Sequence, residues 1–313
     1  MSTIASSQFS RTGKTAIYLS LVLAVALVVG VLVGAKLVFS RAADQPVGMT
    51  ELPAPLADSA ECNAVLDALP EKVLSHDRAE IAEPAPAGVA AWASSSTERI
   101  TFRCGIDLPM QYNEYSQVQD IDGVSWLQVS DVTPGSTLST WYTINRSPVV
   151  AVTADEVSLG SADNPVAELA GATSTLPVVA SQPNPAPLSQ LATGDGGECG
   201  SLMAALPDSL PDDYSRIDVP EANTAAWAAL GREPVVLRCG VAPPANYEAG
   251  ARLTQVDDIP WFEDTTLANG TTSSTWFALG RSTDIAVSAP QEMGNAAVVT
   301  LGKLIAEHTS EQP

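Results

Sequence analysis

Few residues in this chain have the types and spacing that chemistry demands. The two histidines, His76 and His308, lie far apart in polar stretches. They are expected as exposed side chains, not as a general base or a metal pair. Asp122 and Asp257 occupy one repeated position just ahead of a tryptophan segment. A glycan hydrolase needs two carboxyls facing one sugar, but a turn favours Asp for backbone reasons alone, and the turn is the preferred reading. Trp141-Tyr142 and Trp276-Phe277 are candidates for an aromatic platform under a sugar ring, set against the core role of large aromatics in small domains. Arg146 and Arg281 follow those segments, and Arg103 and Arg238 each precede a cysteine; all four suit a structural carboxylate or an anionic ligand. The motifs G-x-S-x-G, P-loop, H-E-x-x-H and D-x-D-x-D-G do not occur. No catalytic, cofactor or metal residues are therefore assigned.

These positions come in pairs because the chain is a tandem duplication. The six tryptophans form three pairs 135 residues apart: Trp92 with Trp227, Trp126 with Trp261, and Trp141 with Trp276. Arg103-Cys104-Gly105 matches Arg238-Cys239-Gly240 at the same offset, as do Tyr112 with Tyr247 and Gly135 with Gly270. Ahead of Ala90 the offset slips by two, aligning Glu61-Cys62 with Glu198-Cys199 and Leu69-Pro70 with Leu206-Pro207. The period is that of a domain, so two globular units are expected rather than a solenoid.

Charge divides the chain differently. The first 41 residues carry four basic side chains and no acidic one; beyond Arg41, 11 basic residues face all 36 acidic ones, a net −25. Such a surface excludes nucleic acid as a partner. Ala16–Phe39 is apolar apart from Lys36, long enough to span a bilayer and longer than the usual core of a cleavable signal. A retained anchor is the expectation; Ser40-Arg41-Ala42 keeps cleavage open as the alternative. Each copy has one early and one later cysteine, and duplication favours the pairing that works identically in both, Cys62–Cys104 and Cys199–Cys239. Disulfides belong to an oxidising compartment, which places the N-terminus inside and both copies outside; four free thiols in a cytosolic protein is the competing reading.

The organisation follows. Residues 1–15 are a cytoplasmic N-terminus, 16–39 the anchor, 40–60 a Pro-rich tether, 61–173 the first repeat domain, 174–196 a Pro-rich linker, and 197–311 the second. A free tether of that length spans roughly 25 Å when coiled and about 60 Å when extended. Each repeat is read as a helix (Cys62–Leu69, Cys199–Leu206), a second short helix bearing tryptophan (Ala87–Ala93, Thr224–Leu230) and a β-branched strand (Ile100–Ile106, Val235–Val241). Four more strands follow, Gln117–Ile121, Val124–Ser130, Ser139–Asn145 and Val149–Thr153 in the first copy, then a closing helix near Pro165–Ala172 or Ala296–His308. The fold class is α+β: two tandem homologous domains, each an antiparallel sheet with short flanking helices, behind one transmembrane helix.

The order cysteine, Leu-Pro, Trp, Arg-Cys-Gly, Asp-x-(Val/Ile)-x-Trp and Trp…Arg resembles the actinobacterial envelope proteins grouped as domain of unknown function 3515. The second copy, with Pro234-Val235-Val236-Leu237-Arg238-Cys239-Gly240, is the nearer match. The resemblance implies an exported protein and brings no activity. The reading that results is a non-enzymatic interaction module held at the cytoplasmic membrane by Ala16–Phe39, with an envelope protein or the cell wall as partner. The alternative is an envelope enzyme on wall glycan or peptide, using Asp122 or Asp257.

Overall fold

A computed structural model describes residues 9–43, 45–267 and 270–312; residues 1–8 of the N-terminal segment lie outside it. Helix α1 (Phe9–Ala43) contains the span Ala16–Lys36, long and apolar enough to cross a membrane and wholly unburied by the rest of the chain. The helix runs through Ser40-Arg41-Ala42 without a break.

Two eight-stranded antiparallel sheets follow, each with helices on one face. The first copy has α2 (Ala60–Ala68), β1 (Lys72–Val73), β2 (His76–Ala79), β3 (Val89–Ala93), β4 (Arg99–Cys104), β5 (Val118–Ile121), β6 (Val124–Ser130), β7 (Ser139–Thr143), β8 (Val150–Ala154), α3 (Glu156–Leu159), a 3-10 turn Val166–Leu169 and α4 (Ala170–Thr173). The second repeats it: α5 (Cys199–Ala205), β9 (Ser209–Leu210), β10 (Tyr214–Ile217), β11 (Thr224–Ala228), β12 (Val235–Cys239), β13 (Thr254–Val256), β14 (Ile259–Asp264), a 3-10 turn Thr265–Leu267, β15 (Ser273–Ala278), β16 (Ile285–Pro290) and α6 (Gly294–His308). The first sheet runs β1-β2-β3-β4-β8-β7-β6-β5, the second β9-β10-β11-β12-β16-β15-β14-β13 read from its other edge: two meanders joined where their last strands pair.

Alternation along the strands builds the inner core. Trp92, Ile100, Phe102, Trp126, Trp141 and Val152 meet Cys62, Val65 and Leu169 from the helical layer; Trp227, Leu237, Trp261 and Val287 meet Leu202, Leu301 and Ile305. The two disulfides are Cys62–Cys104 and Cys199–Cys239, spanning 42 and 40 residues and tying the first helix of each copy to the end of its fourth strand. Loops of that length give about 4 kcal/mol each in the chain-entropy treatment.

Three expectations are corrected. The Ala87–Ala93 and Thr224–Leu230 segments are the strands β3 and β11. Their alanines are good helix formers in isolation, but here they alternate in a strand: Ala90 and Ala225 face inward beside the tryptophan, and the alternate alanines face outward. Ala91 and Ala93 lie under Val47 and Met49, and Ala226 shares a cluster with Ala186 and Leu188. Next, the segment joining α1 to the first copy is docked from Val47 onward. Val47 bridges Ile81, with Val47 N–H donating to the Glu80 carbonyl at 2.8 Å and Ala82 N–H to the Val47 carbonyl at 3.0 Å. Four Cα–Cα steps link Ala43 to Val47, a reach of at most about 14 Å, so the domain lies within that distance of the end of α1 instead of on a long free tether. The linker between the copies is likewise docked: Ala186, Leu188 and Leu191 cover the outer face of the second sheet. A Pro-rich segment cannot make its own core, but its extended backbone offers carbonyls and small apolar side chains to a sheet face that would otherwise be wet. Finally, the hairpins β1–β2 and β9–β10 were not foreseen, because two- and four-residue strands carry too short an alternation to read.

Candidate functional site

The repeated residues prove to be scaffolding, and each has a physical task. In Arg-Cys-Gly the cysteine makes the disulfide. The arginine holds the segment arriving from upstream: Arg103 Nη2 donates to the Thr50 carbonyl at 2.7 Å, and Arg238 Nη1 donates to the carbonyls of Leu188 and Leu191, both at 2.8 Å, and of Ser189 at 3.3 Å. The glycine has φ +83° or +73° and lies under the same crossing segment; a Cβ on Gly105 would stand 2.3 Å from the Ala57 nitrogen, and one on Gly240 2.9 Å from the Gly196 Cα. The Leu-Pro and first Trp motifs also belong together. Trp92 Nε1–H donates to the Pro70 carbonyl and Trp227 Nε1–H to that of Pro207, both at 2.9 Å, with Arg78 and Arg216 over the two indoles at 5.1 and 5.9 Å.

The residues considered for binding are distributed in the same way. Trp141 is wholly buried in the first core, and Phe277 is 2% exposed beneath the linker. Trp276 packs partly buried against the second core. Tyr142 alone of these aromatics lines a cavity, and burial pushes its phenol pKa up. Arg146 is buried and donates to the carbonyls of Gly123 and Asn145 at 2.7 and 3.0 Å. Buried Arg281 closes the end of α6, donating from Nε to Thr309 Oγ1 at 2.9 Å and from Nη2 to the Ala306 and Thr309 carbonyls. Neither arginine is presented to a ligand. Asp122 and Asp257 are exposed in two-residue hairpin loops at φ +50° and +49°, the left-handed region that Asp tolerates. They line none of the three cavities described among these residues. His308 is half-buried in the last turn of α6. His76 is a correction: it is 1% exposed on β2, with Nε2 2.7 Å from the Ser158 carbonyl. The same strand position in the second copy is Tyr214, whose hydroxyl donates to the Glu233 carbonyl at 3.0 Å. The polar neighbours of His76 in sequence hid an inward-facing strand residue.

The two domains meet at a junction. They are joined by a hydrogen bond from the Ser130 N–H to the Gly231 carbonyl at 2.8 Å, by Tyr115 donating to Glu221, and by the docked linker. Burial and the bond to Glu221 both raise the Tyr115 pKa. Two cavities open at this junction. One, about 200 Å³, lies over the outer face of the first sheet, where Leu127, Thr140 and Tyr142 meet Arg232, Glu233 and Glu292. The other, about 400 Å³, lies over the outer face of the second sheet, where Thr275 and Ser288 face Met110 and Asn113 of the first copy and Asn184, Leu188 and Leu191 of the linker.

Glu233 borders both cavities. It is 8% exposed; Oε1 accepts from Thr272 N–H at 2.8 Å and Thr272 Oγ1 at 2.6 Å, and Oε2 accepts from Ser273 Oγ at 2.6 Å. Glu292 across the smaller cavity has its pKa raised by burial and then by the charge of Glu233. None of these residues stood out in the sequence, although a signal existed: Thr140 and Thr275, Thr153 and Ser288, and Glu98 and Glu233 all align at the 135-residue offset. Thr, Ser and Glu are too common at strand surfaces for that to be noticed.

Comparison with known proteins agrees with the duplication. The family model described as protein of unknown function (DUF3515) matches residues 21–181 and again 177–313. Both matched regions include the docked upstream segment as well as the sheet. No curated protein and no solved structure matches the chain. Two tandem copies of the same pattern, together covering nearly the whole sequence, place this chain in the DUF3515 family.

Proposed function

We propose that the protein is a non-enzymatic interaction module of the actinobacterial cell envelope, anchored in the cytoplasmic membrane by Ala16–Phe39 with its N-terminus inside and both domains outside. The observation that carries this reading is the use made of the repeated residues. Arginines, tryptophans, glycines and cysteines common to both copies are spent on holding each sheet, its first helix and its upstream segment together. What duplication preserved is a scaffold, and a scaffold on an apolar helix suits a protein whose work is done through its surface. The disulfides support an oxidising location. Because the copies share a junction, they present one composite surface and not two independent weak sites.

The test is crosslinking in living cells and capture of the full chain, with α1 alone as control. A protein partner that requires the two domains supports the reading. Turnover of wall glycan or peptide by the full chain, lost when a junction residue is changed, would replace it with the enzymatic one.

A further inference from the structure

The larger cavity contains an electrostatic imbalance. A carboxylate as buried as Glu233 ordinarily has a cationic partner, because taking the charge out of water is costly unless it is paired. Glu233 has three neutral donors and, among the described residues, no salt bridge; the single ion pair found there is Lys72–Asp77 on the surface. The neighbouring Arg232 points elsewhere, donating to the Asp212 carbonyl and lying 6.0 Å over the Tyr214 ring. A carboxylate accepts about four hydrogen bonds, so Oε2 retains acceptor capacity on the cavity side.

Two further groups point the same way. Thr275 and Ser288, opposite each other on β15 and β16, are 5% and 3% exposed, line the cavity, and have no side-chain hydrogen bond among the described residues. At the matching position of the first copy, Thr140 and Thr153 bond each other at 2.9 Å. The second copy thus leaves two buried hydroxyls available where the first closes them. The rest of the wall mixes the aliphatic side chains of Met110, Leu188, Leu191 and Leu267 with the neutral amides of Asn113, Asn184 and Gln190, and no basic residue lines it among those described. An anion would enter a net-negative protein to meet a carboxylate, and an aromatic face for stacking a sugar is absent from this lining. The complement to one buried carboxylate, two hydroxyls and a neutral wall with an aliphatic strip of Leu188, Leu191 and Leu267 is an ammonium group on a short carbon chain.

We propose that the 400 Å³ interdomain cavity binds a small aliphatic primary amine, its ammonium group between Glu233, Thr275 and Ser288 and its carbon chain along Leu188, Leu191 and Leu267. The site exists because of the tandem arrangement. Glu98, the first copy's counterpart of Glu233, is only half-buried, and the loop carrying Met110 and Asn113 together with the linker makes the enclosure in the second copy. The proposal goes beyond the envelope-module reading and does not depend on it, since failure to capture a protein partner leaves the cavity chemistry unchanged.

The experiment is isothermal titration calorimetry of the full chain in nanodiscs with n-pentylamine, and with 1-pentanol and pentanoate as size-matched neutral and anionic probes. Saturable one-to-one binding of the amine alone is expected. Glu233→Gln should weaken it at least tenfold, while Glu98→Gln leaves it unchanged. Thr275→Leu, which removes one hydroxyl and sets apolar bulk at the proposed ammonium position without altering Glu233, should also weaken it at least tenfold, and carries the test if Glu233→Gln does not fold. Absence of binding, equal binding of the alcohol, or multi-site binding indifferent to both cavity variants would overturn the proposal.

Discussion

Replacing Arg238 with methionine should do more harm than the same change at Arg103, although the two residues occupy one repeated position. Methionine keeps the apolar stem and removes the donors. Arg238 holds three linker carbonyls, two of them at 2.8 Å, whereas Arg103 holds the Thr50 carbonyl alone. A hydrogen bond from a charged group contributes about 1.5–3 kcal/mol net, and partial exposure puts these at the lower end. Counting the two short bonds, Arg238→Met should therefore cost about 3 kcal/mol and Arg103→Met about 1.5 kcal/mol on the same scale. The loss falls on the linker first, because its release also uncovers Phe277, Val236 and Ala226. Hydrogen exchange on the full chain reads this directly. The Gly194 amide is bonded to the Gly240 carbonyl and the Ala242 amide to that of Ala192; both should exchange about a hundredfold faster in Arg238→Met, the equivalent of that energy at roughly 1.4 kcal/mol per decade. Equal costs for the two variants, or unchanged protection at these two amides, would refute the claim that the motif arginine is a clamp on the upstream segment.

Other consequences follow from the same geometry. Trp92→Phe should be more destabilising than Trp126→Phe by about 1 kcal/mol in denaturant titrations, because the first loses the bond to Pro70 and the second removes a buried indole N–H that has no partner. The cysteines should be inert to maleimide until reductant is added, and a Cys199→Ala/Cys239→Ala double variant should lose about 4 kcal/mol, seen as a lowered midpoint for the second domain. The pKa of Glu292 is raised by partial desolvation in the cavity wall, then by the charges of Glu233 and Asp212. Its raised folded-state pKa means the native state binds that proton more tightly than the unfolded chain. This contribution is therefore full below the ordinary range and is lost as pH rises through the raised value. Melting curves of Glu292→Gln should be flatter than those of the parent across that window; a steeper fall would contradict the assignment.

The parts of the fold that could be read from the sequence are those where one physical signal dominates. Six tryptophans at one offset, an apolar run of spanning length and two early-late cysteine pairs each admit few structures, and each corresponds to an element found here. Failures occur where a signal is local and its cause is remote. Alanines around Trp92 suggest helix until the upstream segment that lies on them is known. His76 looks solvated because Asp77 and Arg78 beside it are polar, yet the strand turns it inward. The cavity residues were illegible for a stronger reason. Thr275, Ser288 and Glu233 become special only when the linker and the Met110–Asn113 loop close over them, a juxtaposition that spans both copies and that neither copy contains alone.

That asymmetry indicates where the duplication has diverged. The inner faces of the two sheets carry matching tryptophans against a helical layer, where they hold each fold together. The outer faces carry aligned residues with different fates. Thr140 and Thr153 satisfy one another while Thr275 and Ser288 do not; Tyr142 looks into the junction while Phe277 is sealed under the linker. A duplicated domain kept only as a spacer has no need of hydroxyls turned into a cavity beside a carboxylate that no cation pairs among the described residues, where an apolar side chain would bury more surface. If Ser288→Val raises the midpoint of unfolding, as this argument requires, the wild-type residue is retained against its own stability cost, and the junction is the place to look for what the protein recognises.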